Sequence, residues 1–254
     1  MKKLKSIYAK SIAFSVLTAA LIGFLASCAP KPENRVVVVI TPAVLRVEAT
    51  PQSKAVRMLN LYEEMDAPGE LVAFDANNKY FKVKSKTGEK GFVSTGVGFK
   101  GYSLGIVREK TAYKDSESGA PSGFLEGLTP VLVSAIKTKD KAVLSVRFRP
   151  ETFWKDVFVD KDAVALNKKD TEIFSVVLPT LESYAKKARE GKTPEASKQQ
   201  IELALAYIKE KEGLYSSSEF YSEVVKKKDE FDAIVHGTGK VLENETNNQY
   251  ETSH

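Results

Sequence analysis

Cysteine and histidine, on which most thiol and metal chemistry depends, are almost absent from this sequence. Its 254 residues include one cysteine, Cys28, and two histidines, His236 and His254. A single cysteine excludes an intrachain disulfide. A thiol peptidase needs a cysteine beside a histidine, and a catalytic zinc ion needs several convergent His, Asp or Glu ligands. We therefore predict no catalytic residue, no metal site and no cofactor.

An apolar run of transmembrane length is lacking at the N-terminus. The uncharged, mostly apolar stretch at residues 11–25 has 15 residues, whereas a helix needs about 20 to span a bilayer. Four lysines precede this stretch: Lys2, Lys3, Lys5 and Lys10. A positively charged start followed by a short apolar stretch is typical of a secretory signal peptide. We predict that residues 1–27 are such a signal.

The end of this segment indicates which kind of signal it is. Leu25-Ala26-Ser27-Cys28 resembles the lipobox of bacterial lipoproteins, an aliphatic residue and two small residues before a cysteine. The resemblance implies cleavage before Cys28 and a covalent lipid on its thiol, which anchors the chain in a membrane of the cell envelope. Ala29 is not the aspartate that retains many lipoproteins at the inner membrane. This favours the outer membrane of a diderm bacterium, on its periplasmic or surface side. The alternative is an uncleaved membrane helix with a chance cysteine.

The excess of positive charge belongs largely to the signal. The chain carries 38 Lys and Arg against 33 Asp and Glu, a net charge of +5. Removal of residues 1–27, with four lysines and no acidic residue, leaves 34 basic and 33 acidic residues, a net charge of +1. Binding of nucleic acid needs a concentrated basic face, so we expect no nucleic-acid partner. Residues 28–35 contain two prolines and are interpreted as the lipidated cysteine with an extended spacer.

Composition divides the rest of the chain into three parts. Residues 36–166 are rich in β-branched and aromatic residues between turn residues, which indicates short strands. Residues 170–237 are rich in Ala, Glu, Lys and Leu at helical spacing. Residues 238–254 contain too little apolar material to fold and are predicted to be disordered.

The first β-rich segment carries a family resemblance. The strings LRVEATPQSKAV, from Leu45, and YFKVKSKTGEKGFVST, from Tyr80, resemble a bacterial Src-homology-3-like (SH3-like) domain over residues 36–99. The match is strongest in the glycine-containing hairpin and in the glycine-aromatic-valine string that follows it. Phe92 stands where tryptophan is common in that family. The resemblance implies a small β-barrel.

A second, weaker copy follows at residues 105–166. Val157-Phe158-Val159 stands 66 residues after Gly91-Phe92-Val93, a distance similar to the length of one such domain. The alternative is one barrel with an irregular β extension. The predicted fold is therefore mainly β plus α, with one or two SH3-like β-barrels followed by a three-helix C-terminal region.

Helix boundaries are indicated by capping residues. Asp170, Thr193 before Pro194, and Ser218 are candidate N-caps, while Gly213 is expected to end the second helix. Pro179 is expected to kink or break the first helix. Since an amphipathic helix must bury its apolar face, the helices should pack on one another or on the second β segment. A tetratricopeptide-like repeat is an alternative that would require more helix pairs.

Two glycine-containing strings are interpreted as chance matches. Gly101-Tyr-Ser-Leu-Gly105 fits the nucleophile-elbow pattern with Ser103 as nucleophile, but that motif needs a strand-to-helix turn and a following histidine. The string GVGFKG at residues 96–101 fits a dinucleotide fingerprint, but no helix follows it. We interpret it as a flexible connector between the two β segments.

With no catalytic residue predicted, the sequence favours binding of a ligand by aromatic side chains. Tyr80, Phe92, Tyr113 and Trp154 are the candidate ligand-binding residues, because small barrels can present aromatics as a groove for extended peptides. The SH3-like resemblance implies peptidoglycan peptides or an envelope protein as partner. The hypothesis is a non-enzymatic, membrane-anchored lipoprotein. A surface adhesion or envelope-assembly module that acts through the helices is the alternative, and a cell-wall hydrolase is a minor one.

The lipid anchor makes a direct prediction. Replacing Cys28 with serine removes the thiol that would be acylated, so the signal should stay attached and the chain should no longer partition into detergent as a mature lipoprotein. Mass spectrometry of the membrane fraction measures both effects. Normal processing of Cys28→Ser would contradict the anchor.

Overall fold

The computed structural model describes residues 31–150 and 152–236. They form two antiparallel β-sheets followed by helices, which confirms the predicted combination of β and α structure. The predicted signal peptide, Cys28 and the C-terminal tail lie outside the described residues. None of the helices within the described residues combines the length and the hydropathy that crossing a membrane requires.

The first sheet contains eight strands. They are β1 (Arg35–Val38), β2 (Ala43–Arg46), β3 (Ala55–Leu59), β4 (Glu64–Asp66), β5 (Leu71–Ala73), β6 (Lys79–Ser85), β7 (Lys90–Ser94) and β8 (Gly98–Lys100). Seven are hydrogen-bonded in the order β3-β2-β7-β6-β4-β1-β8, and β5 pairs with β6. The predicted hairpin joins β6 to β7, and its turn needs a glycine because Gly88 has a φ of +93°.

The second sheet has the same strand order. Its strands are β9 (Tyr102–Val107), β10 (Thr111–Lys114), β11 (Pro121–Leu125), β12 (Pro130–Ser134), β13 (Val143–Phe148), β14 (Lys155–Asp160) and β15 (Val164–Ala165), in the order β11-β10-β14-β13-β12-β9-β15. In both sheets the strand that comes first in the chain lies beside the last one. The pairings among the described residues leave both sheets open, so closure into barrels is not confirmed.

Local details recur at a spacing of 66 residues. Tyr62 and Leu128 are non-glycine residues with positive φ, 62° and 65°. Each donates its backbone N–H to the last residue of its sheet's first strand, Val38 (2.7 Å) or Val107 (2.8 Å). A 3₁₀ turn precedes the last strand of each sheet, at Thr95–Val97 and at Lys161–Ala163. The two sheets therefore share turn geometry as well as strand order.

Strand β1 is buried on both faces, as its valine run indicates. Val36 and Val38 lie in the apolar core of the first sheet. Val37 and Val39 point the other way and pack with Leu132 of the second sheet. Burial of each valine contributes on the order of 1.5–3 kcal/mol before entropy is subtracted. One strand thus joins the first sheet's core to the interface between the sheets.

The helical region begins directly after β15. It consists of α1 (Lys168–Glu172), a π-helical segment (Ile173–Val177), α2 (Leu178–Arg189), α3 (Pro194–Tyr215) and α4 (Tyr221–Val235). Pro179 lacks an N–H, and its ring crowds the carbonyl four residues earlier. The π-helical segment just before it provides the wider turn that this crowding requires.

The helices pack on the second sheet, as expected. Leu104, Ile106 and Ala165 belong to the same apolar cluster as the buried side chains of the helices, among them Ile173, Leu181, Ile201, Val224 and Phe231. Strand β9 is therefore also buried on both faces, because Val107 belongs to the core of the second sheet.

Of the three predicted N-caps, one is confirmed. Thr193 caps α3 by accepting a hydrogen bond from the Ala196 N–H. The cap of α1 is Asn167, not Asp170. Helix α3 continues past Gly213 to Tyr215, because a glycine with the usual helical φ only weakens a helix.

Asp170 has a different role. Its carboxylate is buried and accepts hydrogen bonds from the Ser218 hydroxyl and the Glu219 N–H. Ser218, which was predicted to cap the last helix, lies in the turn before α4. The N-cap of α4 is Phe220. These bonds fasten the first helix to the start of the last one.

Two segments predicted to be extended or flexible are ordered. Pro32–Asn34 forms a 3₁₀ turn, and Arg35 begins β1, so the second half of the predicted spacer belongs to the folded part. Gly98–Lys100, in the predicted connector, is strand β8 and pairs with β1. The valine strand needs a partner on that side, which satisfies its backbone groups.

Gly91, the glycine of the glycine-aromatic-valine string, is required by close packing against β2. A Cβ on Gly91 would overlap the carbonyl oxygen of Arg46 and lie 2.9 Å from Leu45 Cδ1, whereas a Cβ on Gly69 would meet nothing within 4 Å. Gly91→Ala should lower the free energy of unfolding by about 1–3 kcal/mol, and Gly69→Ala should change it by less than about 0.5 kcal/mol. Urea unfolding followed by circular dichroism measures both. Equal effects would contradict the close approach of β2 and β7.

Candidate functional site

A cleft of about 810 Å³ lies where the two sheets and the first helix meet. Its wall has charges of both signs, which are four cations and two carboxylates: Arg35, Lys84, Lys86, Lys168, Glu64 and Asp66. The apolar part of the wall includes Pro32, Met65, Leu104, Val133, Leu144 and Leu166. Concave sites with a few polar groups on an apolar wall are typical of ligand binding.

Strand order brings these charges together. Arg35 opens β1 and Glu64 opens β4, which is its neighbour in the sheet. Lys86 follows β6, the other neighbour of β4. Lys168 opens α1 after β15 of the second sheet. The cleft therefore needs both sheets and the helix.

An ion-pair network runs along the cleft. Glu64 lies 3.6 Å from Arg35 Nη1 and 3.3 Å from Lys86 Nζ. Glu172 Oε1 lies 3.7 Å from Lys86 Nζ and 3.7 Å from Lys168 Nζ. Three cations share two carboxylates, so the network keeps one positive charge in excess.

Glu64 also joins the two sheets. Its Oε1 accepts a hydrogen bond of 3.0 Å from the Leu104 backbone N–H in β9. Next to it, Arg35 Nη1 donates to Ser103 Oγ at 2.8 Å. The side chains of Arg35 and Glu64 are largely shielded from solvent, at 27% and 11% exposed. Charge-assisted hydrogen bonds of this kind are stronger than neutral ones.

Tyr215 closes the helical end of the network. Its hydroxyl donates to Glu172 Oε2 at 3.3 Å. Burial raises the pKa of Tyr215 to about 12, and the neighbouring Glu172 carboxylate adds to the rise. Tyr215 therefore stays protonated and keeps donating to Glu172 throughout the neutral range.

Ser103, the nucleophile candidate of the sequence pattern, lies in the wall of the cleft. Ser103 lies inside strand β9, where its oxygen accepts from Arg35, so the nucleophile-elbow pattern is a chance match as interpreted. His236, the histidine within the described residues, caps the C-terminus of α4. In this part of the chain no three His, Cys, Asp or Glu side chains are grouped to hold a metal.

Two of the predicted ligand-binding residues, Tyr80 and Phe92, share one face of the first sheet. Phe92 is opposite Lys82, and Tyr80 is two residues from Lys82 on the same strand. Tyr80 is only 4% exposed and Phe81 8%. Side chains of neighbouring residues in a strand point to opposite faces, so both faces of β6 are covered at this point.

Tyr113 supports the edge of the second sheet's core. Its ring centroid is 5.5 Å from that of Phe148, and Lys155 Nζ lies 4.6 Å from the Tyr113 ring centroid. Lys155 also donates to the Tyr113 hydroxyl at 3.3 Å. These contacts hold the partly buried ring against the core of the second sheet.

Trp154 lies between the two sheets. Its ring meets Phe99 edge-on with centroids 5.3 Å apart, and both pack against Val37, Val39 and Leu132. Arg147 lies over the Phe99 ring, with its Cζ 4.8 Å from the ring centroid. Tyr113 and Trp154 are therefore not brought together with Tyr80 and Phe92, and none of the four lines the cleft.

Sequence reasoning missed the residues that do line the cleft. Arg35 stood in a predicted spacer, and Lys86 in a predicted hairpin turn. Glu64 and Glu172 are ordinary charged residues in the sequence. The similarity between the two β segments could have indicated that the chain forms two sheets. It does not indicate which strand ends come together at the cleft.

No protein-family model matches the chain, and no curated protein matches it. Two solved structures to which it is similar are those of NlpC2 and NlpC1 from Trichomonas vaginalis. NlpC2 has a TM-score of 0.22 and 7% identity, over 63% of this chain and 57% of that chain. NlpC1 has a TM-score of 0.22 and 8% identity, over 62% of this chain and 55% of that chain. This chain thus spans little more than half the length of either, and likeness at this TM-score assigns neither fold nor function.

The position of Trp154 predicts a structural effect. Trp154→Ala leaves a void between the sheets and should lower the free energy of unfolding by about 2–4 kcal/mol. Its neighbour Phe153 is 82% exposed, so Phe153→Ala should cost less than about 0.5 kcal/mol. Urea unfolding followed by far-ultraviolet circular dichroism compares the two variants. A neutral Trp154→Ala would contradict its place between the sheets.

Proposed function

We propose that this protein is a non-enzymatic lipoprotein of the cell envelope, anchored through Cys28, that binds peptidoglycan peptides or a protein partner. In this proposal the two sheets are SH3-like units over residues 36–99 and 105–166. A three-helix unit follows at 170–237, and residues 238–254 form a disordered tail. The lipid holds the protein at a membrane, and the sheets and helices carry the binding surface.

The repeated strand order supports two related β units. Both sheets place their first strand beside their last one, and both have a left-handed residue and a 3₁₀ turn at a 66-residue spacing. Unrelated extensions of a single domain would have no reason to repeat such local geometry. This favours a tandem arrangement over one unit with an irregular extension.

The cleft carries the proposal. A peptide of the cell wall presents free carboxylates, an amine and small apolar side chains. The cleft offers cations in Lys86 and Lys168, a carboxylate in Asp66 and an apolar wall. Lys86 and Lys168 are 48% and 75% exposed, so both can reach a carboxylate while they remain near Glu172.

Binding to the cell wall tests the proposal. The full-length protein in detergent should be retained by purified sacculi. Lys86→Gln combined with Lys168→Gln should weaken retention by roughly tenfold, because each exposed ion pair is worth up to about 1 kcal/mol. The matched control combines Lys198→Gln with Lys209→Gln on α3, where both lysines are exposed. Retention that is absent, or equal in both double variants, would contradict cleft-mediated binding.

Two exposed leucines on α3 support the alternative, an adhesion or assembly module that acts through the helices. Leu203 and Leu214 are 46% and 56% exposed. They stand 11 residues apart on α3, which places them on the same helix face. Loss of partner capture in Leu203→Ser with Leu214→Ser, but not in the lysine double variant, would favour this alternative. Deletion of residues 170–254 is not a usable test, because it would expose Leu104 and Ile106 of β9.

A further inference from the structure

The first described residues lie at the cleft. Pro32 and Arg35 both line the cleft. Cys28 precedes Pro32 by four residues, and consecutive Cα atoms are about 3.8 Å apart, so their Cα atoms are separated by at most about 15 Å. The head-group layer of a bilayer is about 5–8 Å deep. A lipid on Cys28 would therefore hold the cleft within about two head-group layers of the membrane surface.

The charge of the cleft complements an anionic surface. Its wall carries four cations against two carboxylates. Glu172, which pairs with Lys86 and Lys168, is a third carboxylate, so one positive charge is in excess. Glu64 is only 11% exposed and is already bonded to Arg35, Lys86 and the Leu104 N–H. Lys86 and Lys168, by contrast, reach solvent. What the cleft presents outward is therefore mainly positive.

The wall also has an apolar part that suits the glycerol and upper acyl region of a lipid. Leu166, beside Lys168, is 43% exposed. Ala135, just after β12, and Leu144 in β13 continue this part of the wall. Cations next to exposed apolar groups are the composition that membrane-surface binding requires.

We propose that the cleft docks on the anionic lipid head groups of the membrane in which Cys28 is anchored. This inference rests on the proposed lipid anchor but not on the proposed peptide ligand. Docking and peptide binding use the same lysines, so the two ligands exclude one another. Docking on an anionic membrane thus prevents the cleft from binding cell-wall peptides.

Site-specific fluorescence tests the docking. If acylation consumes Cys28, a single introduced cysteine can be labelled cleanly. Ala135→Cys reports from the cleft, and Gln199→Cys reports from the exposed start of α3. Gln199 lies 16 residues, or about 24 Å of helix, from Tyr215, which contacts the network. The full-length lipidated chains are placed in vesicles with a head-group quencher, either of phosphatidylcholine alone or with about 30% phosphatidylglycerol.

The label at Ala135→Cys should be quenched at least about twofold more than the label at Gln199→Cys, and only in the anionic vesicles. Adding Lys86→Gln and Lys168→Gln should lower the ratio of docked to undocked protein about 25-fold, at about fivefold for each lysine. Arginine at both positions should preserve docking, and Lys198→Gln with Lys209→Gln should leave it unchanged.

Equal quenching at both reporters, with the protein still bound to the vesicles, would overturn the docking and leave the lipid anchor standing. Quenching at Ala135→Cys that is the same in neutral vesicles would also overturn it, because the lipid charge would have no part. A wild-type chain that fails to float with either vesicle would overturn the lipid anchor itself, and this inference with it.

Discussion

The arrangement of the whole molecule depends on two strands that have no free face. Side chains alternate across a strand, so β1 directs Val36 and Val38 into the first sheet, whereas Val37 and Val39, the residue after β1, pack onto the second. Strand β9 directs Val107 into the second sheet, and Leu104 and Ile106 onto the helices. Four apolar clusters are thereby joined in two pairs, one pair through each strand. A sheet with one solvated face could not have held the helices or its neighbour in this way.

The cleft is a consequence of that arrangement. Where two sheets and a helix meet, their ends cannot all be apolar, because strand and helix termini carry backbone groups and connecting residues that need polar surroundings. Glu64 satisfies a β9 backbone N–H from the neighbouring sheet, and Arg35 and Lys86 balance its charge. The same contacts that stabilise the junction leave Lys86 and Lys168 facing outward. Structural ion pairs and candidate ligand-binding groups are therefore the same residues, and a substitution there is interpretable only beside a matched control.

The aromatic residues show how tertiary packing reassigns a side chain. In a lone alternating strand, Tyr80 or Phe81 would face water, yet both are buried. Trp154 does not line an open groove, because Phe99, Val37 and Val39 pack against it from the first sheet. Asp170 has the identity of a helix cap but serves the start of a different helix, 48 residues away. In each case the side chain makes the kind of contact that its chemistry favours, but its partner is distant in the sequence.

The sequence by itself determined the elements whose signals are local. The valine run, the hairpin with Gly88 and the Thr193 cap could be predicted without coordinates, because strand alternation, turn conformation and capping depend on residues a few positions apart. The 66-residue spacing could be predicted because similar strings recur in the sequence. Only the tertiary structure decided which faces were covered, that residues 32–35 and 98–100 belong to the folded part, and that Arg35, Glu64, Lys86 and Glu172 meet. Those contacts join residues 22 to 86 positions apart. Ion pairs have no sequence period, so such partners could not be found from the sequence.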